Sequence, residues 1–291
     1  MTHSLSTRAI IVNLTISQWS GRRHDRKVTD EVNSQNNAAK DAGRYNKQLL
    51  PSDALEGINK VVSKTRADFL TGTSPWLNDG SRIMNAATLF DFRRWLDKQR
   101  TEFFGEVDKF CAAYPGYVID AAARLNGMFN ADDYPDATEI RKKFDMAIQI
   151  MPVPTADDFR VDMAEDQVAM IRAEIEESVN AASKAAMADV QDRVKDVVEA
   201  MLDRMTKYVP GEKGKRAQNT FKDSLVGNVR DLIQILPNLN ITGSAEIDEL
   251  AKKLDDLASF EPDALRISQK AREMTAEKAQ SILDGLEGMM A

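Results

Sequence analysis

Trp19 is followed closely by Arg22, Arg23, His24, Arg26 and Lys27. An indole beside clustered guanidinium groups can stack on a nucleobase while the cations meet phosphates, as in single-strand binders. The plainer reading is a solvated turn with Trp19 packed on a helical core, and it is preferred because no second aromatic is interleaved with the cations. Trp76 in SPWLNDG has two readings as well, a ligand platform or, preferred, a plug at the end of a core. Asp79-Gly80 and Asp132-Asp133 lack the alternating oxygen ligands and distal Glu of a calcium loop and read as turns. The run Pro210-Gly211-Glu212-Lys213-Gly214-Lys215 lacks the Gly-Lys-Ser/Thr ending of a phosphate loop and follows a helix rather than a strand. Cys111 lies between apolar helical neighbours, where a buried structural thiol is the default, and His24 has no Ser or Cys nucleophile placed beside it. With one cysteine and two histidines in 291 residues, no disulfide framework and no Cys/His metal set is available. The expectation is a protein without a cofactor, a metal or an enzymatic site.

The elements that would position such residues are mostly helices. Val168, Val179, Val190 and Met201 stand eleven apart, beside a second row of Ile175, Ala186, Val197 and Tyr208. Eleven residues close three helical turns, so the two rows form one continuous stripe. No Pro or Gly interrupts residues 157 to 208. A helix of that length, roughly 75 Å at 1.5 Å per residue, needs partners along its whole stripe. Val168, Ile175, Val179, Val190, Val197 and Met201 are therefore the predicted seam. Methionines 163, 170, 187, 201 and 205 line or flank the same helix, as core filler or as an adaptable partner groove.

Residues 9 to 18 alternate Ile10, Val12, Leu14 and Ile16, which predicts a strand, and residues 146 to 152 are a second candidate able to pair with it. A weakly amphipathic helix is expected over 28 to 48 and another after Pro51-Ser52. Residues 71 to 82 read as a loop, followed by a helix from Ile83 that Tyr114-Pro115-Gly116 stops. A short helix from Tyr117 to about Met128 and one carrying Ile140 and Phe144 come next. Beyond the long helix, one carrying Phe221, Leu225, Leu232 and Leu236 returns, then one carrying Ile247 to Leu257, and a last one runs from Pro262 to near Met290. The fold class expected is mainly α: an elongated helical bundle on the helix at about 157–208, with a small N-terminal hairpin or two-stranded sheet. Two regions are expected, 1–154 and 155–291.

Charge divides along the chain. Residues 1 to 110 carry 17 Lys+Arg against 13 Asp+Glu, whereas residues 111 to 291 carry 22 against 33. The acidic long helix is thus a poor match for a nucleic-acid backbone or an anionic lipid surface. No run reaches the eighteen apolar residues of a membrane span, and the N-terminus is too polar for a secretory signal, so no membrane association and a cytoplasmic location are expected.

Three segments, LTISQWSGRRHDRKVTDEV, SPWLNDGSRIM and PVPTADDFRV, together resemble a phage and bacterial family of unknown function over roughly residues 9 to 210. Its members tend to lie near genes for a MoxR-type AAA+ ATPase and a von Willebrand A-domain protein. The resemblance implies an accessory of a remodelling machine and carries over no catalytic residue; the expected cytoplasmic location is the host cytoplasm if the protein is phage-encoded. The functional expectation is a non-enzymatic, phage-encoded scaffold or adaptor that self-associates or docks on a protein such as an AAA+ ATPase. The alternatives are a nucleic-acid binder using Trp19, Arg22, Arg23, Arg26 and Lys27, and an acidic inhibitor of a host protein whose helices mimic nucleic acid.

Overall fold

The computed structural model describes residues 2–77, 79–158, 165–211, 216–219 and 222–290. Its elements in chain order are α1 (Thr2–Arg8), β1 (Ala9–Ser17), β2 (Arg22–His24), α2 (Arg26–Gln35), β3 (Asn46–Gln48), α3 (Glu56–Thr71), β4 (Ser74–Pro75), β5 (Arg82–Asn85), α4 (Leu89–Leu125), α5 (Ala137–Arg141) and β6 (Asp145–Pro152), then α6 (Glu165–Lys207), α7 (Ser224–Leu239), α8 (Ala245–Leu257), α9 (Pro262–Ile267) and α10 (Gln269–Met290). The protein is mostly helical, and α6 is its longest described element, about 64 Å at 1.5 Å per residue. Residues 159–164, where the long helix was expected to begin, lie outside the described residues.

Contacts divide the chain into two units. One comprises residues 1–13, 69–91 and 149–291, the other residues 14–68 and 92–148. The expected boundary at 154/155 falls inside the first, and β1, α3, α4 and β6 each run from one unit into the other.

The sheet is larger than the two strands expected. Its order is β4-β5-β1-β6, with β5 antiparallel to β1 in the register Ala9↔Asn85 to Val12↔Arg82, and β4 antiparallel to β5. Within the segment read as a loop, Ser74 and Pro75 form β4, and Asp79 and Gly80 lie between β4 and β5, with Leu77 and Gly80 at positive φ. Ile83, expected to start a helix, is instead fully buried in β5. Asn85, at the end of that strand, donates to the carbonyls of Pro237 and Asn240 at the end of α7. The helices of the first unit therefore pack with a sheet, and they are not a plain bundle.

In that unit the main core joins α6, α7, α8 and α10 through residues such as Val194, Met201, Leu236, Leu254 and Ile282. A second cluster gathers Ile11, Trp76, Ile83, Val179 and Ala186. The core of the other unit joins α3 and α4 through Ile58, Val62, Phe103, Val107 and Phe110, with Ile140 and Met146.

Several helix boundaries differ from the sequence expectation. Helix α4 passes through Pro115-Gly116 to Leu125, because the buried positions Phe103, Val107, Phe110 and Tyr114 continue at helical spacing to Ala121 and Leu125. Burial along that face, with the Tyr114 hydroxyl donating to the Pro135 carbonyl at 2.8 Å, offsets the roughly 3 kcal/mol that an interior proline costs. Burial, with the charges of Tyr134 and Asp136, pushes the Tyr114 phenol up to about 12. The helix expected over 28 to 48 spans only Arg26–Gln35, and Asn37 then takes a positive φ that ends it. The last helix is two pieces, α9 and α10, broken at Ser268.

Candidate functional site

The basic residues sit around a small hairpin. Gly21 turns the chain at φ +62°, and a Cβ there would lie 2.8 Å from Leu50 Cδ1, so the turn requires glycine. Strands β2 and β3 then pair Arg22↔Gln48, Arg23↔Lys47 and His24↔Asn46. Asp25 caps α2 by accepting from the Val28 N–H at 3.2 Å, which sets Arg26 and Lys27 on the first turn. Arg22, Arg23, Arg26 and Lys27 are exposed. Arg23 lies 3.6 Å from Asp133, and Lys27 lies 4.0 Å from Glu31. Trp19 is half-buried, edge-on to Tyr114 at 5.9 Å and 6.5 Å from Phe110. His24 Nε2 is 3.1 Å from the Thr29 hydroxyl.

Beneath these cations lies Lys47, whose ammonium donates to Asp133 at 2.7 Å and to the Met128 carbonyl at 2.7 Å, with Asp25 at 3.3 Å. Burial opposes the Lys47 charge, but the hydrogen bonds and field of Asp133 and Asp25 outweigh it and hold the ammonium above its ordinary range. The Val28 N–H, working against burial and joined by Lys47, holds the Asp25 carboxyl below its usual value. All three donor directions of this ammonium are used, which is how a buried lysine is tolerated. Sequence reasoning missed Lys47, since a lysine in a polar run shows no sign of burial.

The predicted seam is unevenly covered. Val179, Val190 and Met201 are buried, with Ala182, Ala186, Val194, Val198 and Met205 between and beyond them in steps of three and four. Val168, Ile175 and Val197 are only partly covered. Among the described residues of α6 before Val179, none is buried, and Met170 is 59% exposed. Two grooves flank this end. One, of about 270 Å³, is lined by Trp76, Leu77, Pro154, Ile171 and Ile175. The other, of about 690 Å³, includes Val168, Arg172 and Glu176. Leu77 is half exposed at φ +53°, a strained setting for a leucine. The Trp76 indole N–H is buried without a hydrogen-bond partner among the described residues.

A third groove, of about 540 Å³, runs between α6 and α7 and is lined by Val197, Leu232, Ile235, Asp196 and Asp231, with Leu70 and Thr71 also contributing. Arg193 borders it with its guanidinium committed elsewhere: it donates to the carbonyls of Thr71 at 2.6 Å, Thr73 at 3.0 Å and Leu70 at 3.2 Å, and pairs with Asp189 at 2.9 Å. Arg82 donates to Leu70 O at 2.9 Å and to both oxygens of Thr73. Two guanidinium groups thus satisfy the carbonyls that end α3, where the helix dipole favours cations. Burial, then the nearby Arg193 charge, depresses the Arg82 pKa. No sequence motif marks this groove, because its parts come from three distant segments.

Among the described residues no three His, Cys, Asp or Glu side chains gather to hold a metal ion. Asp79 accepts from the Ser81 N–H at 2.8 Å as a turn residue, and Asp132 and Asp133 lie in a 3-10 turn capped by Asn130. Burial raises the half-buried Cys111 thiol. Residues 212–215, most of the glycine-lysine loop, lie outside the described residues. No described helix is long and apolar enough to cross a membrane. No family model, curated protein or solved structure matches the chain.

Proposed function

We propose that this protein is a non-enzymatic scaffold or adaptor whose contact surface is the free end of α6. The supporting observation is the uneven burial of that helix: its stripe is covered from Val179 onward, while Val168, Ile171 and Ile175 are half-covered and Met170 is exposed. An apolar helical face of this length with grooves on its flanks is the form that helix-in-groove recognition uses. The occupant is a second copy or another protein, and the family resemblance makes a AAA+ ATPase the first candidate among other proteins.

Light scattering of the full chain, alone and mixed with a MoxR-type AAA+ ATPase, tests the reading. Met170→Glu with Ile171→Glu should abolish association while the melting temperature stays within about a degree of the parent, because these side chains lie outside the buried core. Association unchanged by this pair of substitutions would refute the assignment.

Under the nucleic-acid alternative, Arg22, Arg26 and Lys27 act through charge, since Trp19 is packed against Tyr114 and Phe110 rather than presented as a stacking platform.

A further inference from the structure

The groove between α6 and α7 lies apart from the free end of α6 and has a chemistry of its own. Its floor is apolar, built from Val197, Leu232 and Ile235. Asp196 on α6 and Asp231 on α7 stand on opposite walls, both exposed and neither in an ion pair among the described residues. The one cation among its described lining residues, Arg193, is engaged by three backbone carbonyls and Asp189. The α7 wall runs from Asn228 to Ile235, two helical turns.

We infer that this groove is a docking site for a basic amphipathic helix of a partner protein. Such a helix sets leucine-like side chains on Val197, Leu232 and Ile235 across two turns, while a Lys or Arg on either edge of its stripe meets Asp196 or Asp231. Charge complementarity chooses the occupant. A neutral apolar helix would strip water from two carboxylates without pairing them, and an acidic one would add repulsion. The positions 228, 231, 232 and 235 follow the i, i+3, i+4, i+7 pattern that forms one face of α7, so the wall and the proposed ligand share a helical repeat.

The test uses the full chain and three labelled synthetic helices followed by fluorescence anisotropy. The first carries Leu on one face and Lys on its edges, the second exchanges Lys for Glu, and the third keeps Lys and exchanges Leu for Ala. The Leu–Lys helix should bind, the Leu–Glu helix should not, and loss of the leucines should weaken binding at least about tenfold. Asp196→Asn with Asp231→Asn should weaken the Leu–Lys helix by about fivefold, as expected for two exposed ion pairs. The matched pair Asp255→Asn and Glu277→Gln, which removes the same charge elsewhere, should leave it within twofold. Equal binding of the Ala–Lys and Leu–Lys helices by the unaltered chain would overturn the inference, as would equal losses in the two variants. These outcomes do not depend on Met170 or Ile171, so this site and the α6 end fail or stand separately.

Discussion

Replacing Lys47 with methionine probes the energetic role of the buried ion cluster, because the thioether keeps most of the side-chain volume while removing the charge and its hydrogen-bond donors, including the one to the Met128 carbonyl. The lysine side chain is 5% exposed and its partners Asp133 and Asp25 are 9% and 15% exposed. Removing one member of a buried ion pair typically costs about 3–5 kcal/mol, since the remaining charges stay desolvated. Here the upper part of that range is relieved, because Asp25 keeps the Val28 N–H and Asp133 keeps Arg23 at 3.6 Å. The expected loss is about 3 kcal/mol. Urea unfolding followed by tryptophan fluorescence, to which Trp19 and Trp95 on the same unit's core contribute, should show it as a lowered midpoint at unchanged slope. Adding Asp133→Asn to Lys47→Met should restore part of the stability, as an uncompensated carboxylate is removed. A loss below about 0.5 kcal/mol for Lys47→Met would refute the reasoning, because it would mean that the two carboxylates are effectively solvated.

Acid should act through the same cluster. Asp25 is held below its ordinary 3.8, so its contribution is present above that value and disappears as pH falls through the lowered pKa. Lys47 is held above its ordinary 10.5, so its contribution is present below that value and disappears as pH rises through the raised one. The urea midpoint should therefore be level between about pH 5 and 9 on this account and fall below about pH 4, and Asp25→Asn should flatten the acid limb; an unaltered acid limb in that variant would exclude Asp25 as its cause. Val190 is 1% exposed in the core of α6, so Val190→Asp should cost several kcal/mol, about 3 or more, and near-parental thermal unfolding would show that the position tolerates charge. Labelled single- and double-stranded DNA should bind weakly near physiological salt, given the net charge of −7. Tight binding that weakens steeply with salt, and that Arg22→Ala, Arg23→Ala, Arg26→Ala and Lys27→Ala abolish, would instead promote the nucleic-acid alternative.

The elements legible in the sequence are those whose signal is local. Val179, Val190 and Met201 announce α6 because an elevenfold repeat is a property of the chain itself, and Ile10 to Ile16 announce β1 for the same reason. The sheet position of residues 82–85 was not legible, since four residues are too few to show alternation, and Ile83 and Met84 become strand residues only when β1 supplies their hydrogen-bond partners. The end of α4 was misread because Pro115-Gly116 is a local stop signal, and only the packing of Tyr114, Ala121 and Leu125 outweighs it. Which part of the α6 stripe is covered is likewise a tertiary matter. The repeat specifies an apolar face along the helix, but α7, α8 and α10 cover its buried positions from Val190 onward, and the cluster with Ile11, Trp76 and Ile83 covers Val179 to Ala186. The Lys47 cluster and the α6–α7 groove depend wholly on the fold. Their charges lie tens of residues apart in sequence, and an ion pair or a wall has no meaning until folding brings its members within a few ångströms.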